Sequence, residues 1–297
     1  MAVYNIQGNA INSVYDADGS ALNTAYDISE NVVYTSAPPV VDYDNYTLSE
    51  SFSLSVGNCQ GIAVHNNVLF QFRANGTLVQ NLVCLFNLTD KSTIISNMTI
   101  NSEHGDSASF SNEYYAEGDE FPLLYVTADT TPAKLYVNRV TRSEATLVKT
   151  LVFPSSAGYW GAGAFDFENN ICYILAYKIQ SYTSATNNAT VVSKWDLSNL
   201  TDNGDGTYTP AFISQYERAF IYCMQGLEYH DGLIWVASGY GGQQSYVYAI
   251  SPTDGTLLHT IDLNTTREVE GCAFVSDTKM LVGLQSGYYD YYTFATT

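Results

Sequence analysis

One phrase returns along this chain and constrains its fold more than any other feature. It consists of Gln or Glu before Gly, a short apolar strand, a tight turn and a second apolar strand. The clearest copy is Gln225 to Ala249, QGLEYHDGLIWVASGYGGQQSYVYA. Here a strand from Gly226 to Tyr229 meets the turn pair Asp231-Gly232. A second strand from Leu233 to Ser238 runs into a Gly-rich loop, and a third from Gln244 to Ile250 alternates as a pleated segment buried on one face does. The plan recurs at Gln60-Gly61-Ile62-Ala63-Val64, with its turn at His65-Asn66-Asn67 and a strand from Val68 to Phe72. It recurs again at Glu270-Gly271-Cys272-Ala273-Phe274, followed by a turn around Asp277 and a strand from Lys279 to Gly283. Looser copies begin at His104-Gly105-Asp106 and at Trp160-Gly161-Ala162-Gly163.

Gly61, Gly105, Gly161, Gly226 and Gly271 stand 44, 56, 65 and 45 residues apart. A period of roughly 40 to 50 residues with several strands per unit is the signature of β-propeller blades. The expected fold is therefore all-β, a five-bladed β-propeller, with six blades as the alternative if the stretch between Gly161 and Gly226 holds another. The last repeat has room for three strands only. The alternating segment Tyr46 to Val56, YTLSESFSLSV, precedes the first repeat and is expected to complete the last blade as its fourth strand. Within the long interval, Asp202-Asn203-Gly204-Asp205-Gly206-Thr207 has oxygen-rich spacing. It lacks the distal bidentate Glu of an EF-hand loop, so it reads as a hairpin turn between strands at Trp195 to Leu200 and Tyr208 to Ile213 rather than as a metal site.

Composition narrows the function classes. The formal charge is −19, from 11 Lys and Arg against 30 Asp and Glu. That balance argues against nucleic-acid binding, for which a basic patch supplies most of the affinity, and disfavours anionic membrane surfaces. There is no apolar run near 18 residues, so no transmembrane helix is expected, and the N-terminus shows no secretory signal. No long helical period is visible, so helices are expected to be few. The 25 tyrosines suit pleated surfaces that are apolar along the ring and wet at the hydroxyl. Cys59, Cys84, Cys172, Cys223 and Cys272 are odd in number and widely spaced, which fits buried free thiols made in a reducing cytosol better than disulfides or zinc. No cofactor and no metal is expected.

Residues 1 to about 37 are unlike the rest, with short strands expected at Val3 to Ile6, Ala10 to Tyr15, Ala25 to Ile28 and Val32 to Tyr34, and turns at Gly8-Asn9 and Asp18-Gly19. So small a unit buries too little surface to stand alone. Pro38-Pro39 reads as a stiff linker. The domain division is then 1–37, a small β-rich N-terminal segment, and 41–297, the propeller.

The repeats QGIAV, QGLEY and EGCAF, with HGDSASFSNEYYAEGDEFPLLYV from His104 to Val126, resemble blades of β-propeller proteins encoded by gut bacteria and their phages. The opening, GNAINSVYDADGSALNTAYDISENVVY from Gly8 to Tyr34, resembles N-terminal segments of tail and appendage proteins of phages that infect gut bacteria, where such a segment precedes varied C-terminal domains. These resemblances imply a virion location after synthesis in the bacterial cytoplasm. They also imply that residues 1–37 dock onto other virion proteins and that the propeller is an interchangeable, host-recognising effector present in several copies or as a homo-oligomer.

In a propeller the innermost strands surround a channel, and residues at the strand starts crowd its mouth. The repeats place Gln60, His104, Asp106, Trp160, Gln225, Glu228, Glu268 and Glu270 there. Planar polar groups beside an aromatic suit a sugar, whose hydroxyls want polar partners and whose ring face stacks. Tyr114-Tyr115, Tyr240 to Gln244 and Tyr288 to Tyr292 form a second candidate surface, from which Tyr240 and Tyr289 join the ligand-binding set. Asp106, Glu228 and Glu270 are the catalytic candidates, since glycoside hydrolysis uses paired carboxylates roughly 5 to 9.5 Å apart. No carboxylate lies in a motif of defined spacing, and no GxSxG or triad context is present. The competing reading is that these side chains cap free N–H groups at strand starts and hold water in the channel. His65 and His230 are expected as solvated turn residues. The sequence thus favours a non-enzymatic virion protein that recognises a host-surface glycan or protein. A propeller glycoside hydrolase or lyase and a purely structural decoration protein are the alternatives.

Overall fold

The computed structural model describes residues 40–297 apart from 55–56, 58, 74–79 and 129, and among the first 39 residues it describes four short strands. β1 (Val3–Tyr4) pairs antiparallel with β2 (Ala10–Ile11), and β3 (Thr24–Tyr26) pairs antiparallel with β4 (Val32–Thr35). The expected turns at Gly8-Asn9 and Asp18-Gly19 and the linker Pro38-Pro39 lie outside the described residues. The chain divides into two compact units, Met1–Asp42 with Ala295–Thr297, and Tyr43–Phe294.

The larger unit is built from four-stranded meanders. β5 (Val41–Ser53) precedes them. β6 (Gly61–His65), β7 (Val68–Arg73), β8 (Gln80–Asn87) and β9 (Thr93–Asn101) form the first. β10 (Ser107–Phe110), β11 (Leu124–Ala128), β12 (Lys134–Val140) and β13 (Ala145–Val152) form the next. β14 (Tyr159–Asp166), β15 (Ile171–Tyr177), β16 (Thr190–Asp202) and β17 (Thr207–Arg218) follow. β18 (Met224–His230), β19 (Leu233–Ser238), β20 (Tyr246–Ile250) and β21 (Leu257–Asp262) come after them. β22 (Val269–Ser276), β23 (Lys279–Leu284) and β24 (Tyr288–Thr296) take β5 as their fourth strand. The fold is all-β and propeller-like, closed by a strand from before the first repeat. The only helical elements among the described residues are two single 3₁₀ turns.

The extra length between Gly161 and Gly226 lies in one long hairpin, β16–β17, that turns at 202–207. There Gly204 N–H donates to Asp202 and Thr207 N–H to Asp205. A short parallel pairing, Thr150 with Thr207 and Leu151 with Tyr208, joins β17 to β13 and merges two meanders into one eight-stranded sheet.

Local chemistry explains the repeated turns. Asn66 and Asn67, like Asp231 and Gly232, both have left-handed φ and bridge directly paired strand ends, His65 with Val68 and His230 with Leu233. That is the two-residue hairpin geometry for which Asn, Asp and Gly are favoured. The second strand of each unit is buried along nearly its whole length, as in LIWVAS of β19, while β5 is exposed along most of its length. Apolar cores lie between neighbouring meanders. Phe70, Phe72 and Ile100 pack with Phe121 and Leu124, and Leu135 and Phe153 pack with Phe165 and Trp195. Tyr173 and Leu175 pack with Ile234 and Val236, and Leu69 and Phe86 pack with Leu281 and Tyr289. The last gap is filled by aromatics: Tyr43 of β5 lies edge-on to Trp235 at 4.9 Å and to Phe294 at 5.1 Å.

The repeat glycines mark the axis. A Cβ on Gly61 would sit 2.1 Å from the Gly105 carbonyl oxygen, and one on Gly226 would sit 2.6 Å from the Gly271 Cα. The backbone approach there leaves no room for a side chain. In the second unit the phase differs from the sequence alignment. β10 begins at Ser107, two residues past Gly105, and Ser107 Oγ accepts from Leu227 N–H at 2.7 Å.

Candidate functional site

The first strands β6, β10, β14, β18 and β22 begin at the same end of the unit, and a cavity of about 320 Å³ opens there. Gln60, His104, Asp106, Trp160, Gln225, Glu268 and Glu270 all line it, as the phase of the repeats predicts. Backbone irregularity aims three of them. The ladder skips Gln225 between Met224 and Gly226, skips Glu270 between Val269 and Gly271, and slips between Tyr159 and Ala162 around Trp160. Such bulges re-aim a side chain that regular pleating would send elsewhere. Trp160 and Cys223, both on the cavity wall, have left-handed φ values of 50° and 34°. Non-glycine residues hold that conformation only where the surroundings impose it. Thr131 Oγ1 helps by accepting from Trp160 N–H at 3.2 Å.

The polar wall is acidic. His104 Nδ1 lies 2.5 Å from Asp106 Oδ1, with the imidazole exposed and the carboxylate buried. Glu268 accepts from Gln225 Nε2 at 2.6 Å and from Gln285 Nε2 at 3.2 Å. Its carboxyl is raised above the ordinary value by burial, against which the Gln225 hydrogen bond works. Glu270 is 2% exposed, and its Oε1 has no hydrogen-bond partner among the described residues. Burial, and secondarily the Glu268 and Asp106 charges, push its carboxyl up to about 10, so it holds its proton at neutral pH. No Lys or Arg side chain lines the cavity. Arg139 and Arg142 are instead committed to Asp119 and Glu120.

The aromatic wall extends beyond Trp160 and Tyr240. Trp160 is edge-on to Tyr182 at 5.5 Å, and Tyr182 is edge-on to Tyr240 at 5.8 Å. Tyr177 stands behind them, its hydroxyl accepting from Met224 N–H at 2.6 Å. Sequence reading misses Tyr177 and Tyr182. The available signal was topological: in an antiparallel hairpin the end of the second strand returns to the start of the first. The residues that leave β15 and β19, Tyr177, Tyr182 and Tyr240, therefore rim the same mouth as Trp160 and Gln225.

Other expected site residues lie elsewhere. Tyr289 is fully buried, in the core between the first and last meanders, where its hydroxyl donates to Gln71 Oε1 at 2.6 Å. It has no surface to offer a ligand, because alternation along β24 turns it toward the core while Tyr288 faces out with the Arg267 guanidinium 3.7 Å above its ring. Tyr291 and Tyr292 are likewise buried. Glu228 does not line the cavity. It sits further along β18, where Ser109 Oγ donates to it at 3.2 Å and burial pushes its carboxyl up to about 8. Tyr114 and Tyr115 are exposed in the β10–β11 connection and line a separate depression. His230, expected as a solvated turn residue, stacks on Phe274 with centroids 3.8 Å apart, and burial lowers its pKa. All five cysteines are buried free thiols, and Cys223 also forms part of the cavity wall. Among the described residues no three His, Cys, Asp or Glu side chains are arranged to hold a metal ion.

The arrangement can therefore offer hydrogen-bond acceptors, two side-chain amides, one protonated carboxyl and a run of ring faces to a ligand of a few ring atoms. No family model and no curated protein matches the chain. Among solved structures, it is similar to the aldose sugar dehydrogenase of Streptomyces coelicolor in its PQQ-bound form, with 8% identity and a TM-score of 0.47 over 86% of this chain and 100% of that one. It is also similar to a chain of a mitotic checkpoint complex, with 10% identity and a TM-score of 0.43 over 88% and 99%. A third similarity is to the hydrazine synthase of Kuenenia stuttgartiensis, with 13% identity and a TM-score of 0.42 over 76% of this chain; the chain spans 61% of that protein's matched chain.

Proposed function

We propose that this protein is a phage virion appendage whose propeller recognises a host-surface glycan, held on the particle by residues 1–37 through other virion proteins and present in several copies. The observation that carries the recognition half is the cavity of about 320 Å³ at the strand starts, where side-chain amides and carboxyls face Trp160, Tyr182 and Tyr240. Sugar sites combine these two elements, planar polar groups for hydroxyls and ring faces for the apolar side of a pyranose. The virion half rests on the resemblance of residues 8–34 to N-terminal segments of phage tail and appendage proteins.

The test is binding of the full chain to a glycan array and to host cells, with release of reducing sugar followed in the same samples. Trp160→Ala and Gln225→Ala are expected to weaken glycan binding at least tenfold while thermal unfolding stays cooperative. A second reading, a glycoside hydrolase or lyase, is favoured by one observation. Glu270 is held protonated beside carboxylates, the division of protonation states that acid–base pairs require. Release of reducing sugar that Glu270→Gln or Asp106→Asn abolishes would establish it. Neither binding nor release from folded protein would leave a structural decoration protein.

A further inference from the structure

We propose that the cavity selects a sugar bearing a free, protonated amine, with the ammonium seated against Glu270 and Glu268 and the sugar ring against Trp160. This rests on the glycan-binding reading and names the class of glycan. The charge balance of the wall carries the argument. Three carboxyl groups, Asp106, Glu268 and Glu270, share a cavity with no Lys or Arg, and the one basic side chain, His104, is paired with Asp106 at 2.5 Å. A ligand with a carboxylate, sulfate or phosphate would bring like charge into that wall. A neutral hydroxyl would leave the charge uncompensated.

Glu270 is the independent observation. It is 2% exposed, yet its Oε1 has no donor among the described residues. Buried acceptors are almost always matched, and those that are not call for an explanation. Its neighbours cannot help. Asp106 and Glu268 raise its carboxyl pKa, and the nearby donors are committed elsewhere, Cys59 Sγ to the Gly61 carbonyl and the Tyr289 hydroxyl to Gln71 Oε1. A carboxyl whose proton is held up to about 10 marks a spot short of positive charge. An ammonium seated there supplies three donors and the positive charge that lets Glu270 release its proton to solvent, in a group the size of a methyl. Trp160 and Tyr182 line the same cavity and supply aromatic surface for the sugar ring.

The experiment is calorimetric titration of the full chain at near-neutral pH with three sugar probes, methyl β-glucosaminide, methyl N-acetyl-β-glucosaminide and methyl β-glucoside, and with methylamine. Each carries at most one charge, so general attraction to an acidic protein is small, and repeating the titration in 0.5 M NaCl removes it. The expected result is at least tenfold tighter binding of the free amine than of either neutral probe. Both Glu270→Gln and Glu268→Gln should reduce that preference to less than threefold. Glu268 is only half-buried, so its variant keeps the test open if Glu270→Gln fails to fold. Equal or tighter binding of a neutral probe overturns the amine seat and leaves the glycan reading standing. Binding of methylamine without any sugar preference keeps the seat and removes the glycan reading. A preference for the amine that survives both substitutions overturns the assignment to these residues, and no binding of any probe overturns it outright.

Discussion

Two carboxyls, Glu270 buried and Glu228 partly buried, give the molecule a pH signature at the level of single side chains. Glu228 and Glu270 are pushed up to about 8 and about 10, chiefly by burial, from an ordinary value of 4.5. A raised carboxyl pKa means that the folded chain holds the proton more tightly than the unfolded one. The contribution to stability is full below about pH 4.5 and is lost as pH rises, through about 8 for Glu228 and about 10 for Glu270. Glu228→Gln should therefore stabilise the protein at pH 8, by on the order of 1 to 3 kcal/mol, and leave it unchanged at pH 4.5. Urea midpoints at the two pH values check this, and an equal effect at both would refute it. At this scale the sequence is informative where a residue has a repeat phase. Gln60, Trp160, Gln225 and Glu270 all precede a glycine that packs near the axis or against a neighbouring strand, and all reach the cavity. Tyr289 was misplaced because tyrosine suits either face of a strand, so its identity does not reveal which face it takes. Glu228 lies three residues past Gln225, and nothing in its own type distinguishes a deep channel position from a rim.

Strand β5 shows how an element can be inferred from a deficit. The last repeat carries three strands, the other units four, and the alternating segment ahead of the first repeat is the missing one. Its observed bounds, Val41–Ser53, begin earlier than the alternation from Tyr46 suggests. The reason is Tyr43, which is 4% exposed and packs among Trp235, Phe274 and Phe294 while its hydroxyl donates to Asp231 at 3.1 Å. A single buried ring in a polar setting, VVDYDNY, leaves no periodic trace. Tyr43→Ala should cost about 3 to 5 kcal/mol through the cavity it opens, whereas Leu48→Ala on the exposed face of the same strand should fall within about 0.5 kcal/mol of the parent. Leu48 is 55% exposed. Thermal denaturation of both variants decides it, and similar losses would mean that Tyr43 is not the anchor. The parallel pairing of β13 with β17 had no such signal. It joins strands from different repeats, and pairing across repeats leaves no mark in either repeat's own pattern.

For the molecule as a whole, net charge and site size set the regime of binding. On the proposed glycan reading, a cavity of about 320 Å³ accommodates roughly one sugar ring, and one ring in an open site binds weakly. Useful attachment then depends on copy number. Protein displayed at high density on beads should retain on glycan-coated surfaces with an apparent affinity about 10² to 10⁴ above that of the free chain, provided spacing permits simultaneous engagement. Surface plasmon resonance in the two formats measures the ratio, and a ratio near one would argue against a multivalent adhesin. The charge of −19 keeps non-specific adhesion low meanwhile.

The five mouth positions, Gln60, Asp106, Trp160, Gln225 and Glu270, belong to five different meanders, and the backbone beside them is fixed by close axial packing rather than by the mouth side chains themselves. Such a site is modular in the genetic sense. On the proposed reading, a codon change at one of these positions alters one sector of the cavity wall while the glycines beside them keep the backbone packing, so ligand preference can drift one position at a time on a constant scaffold.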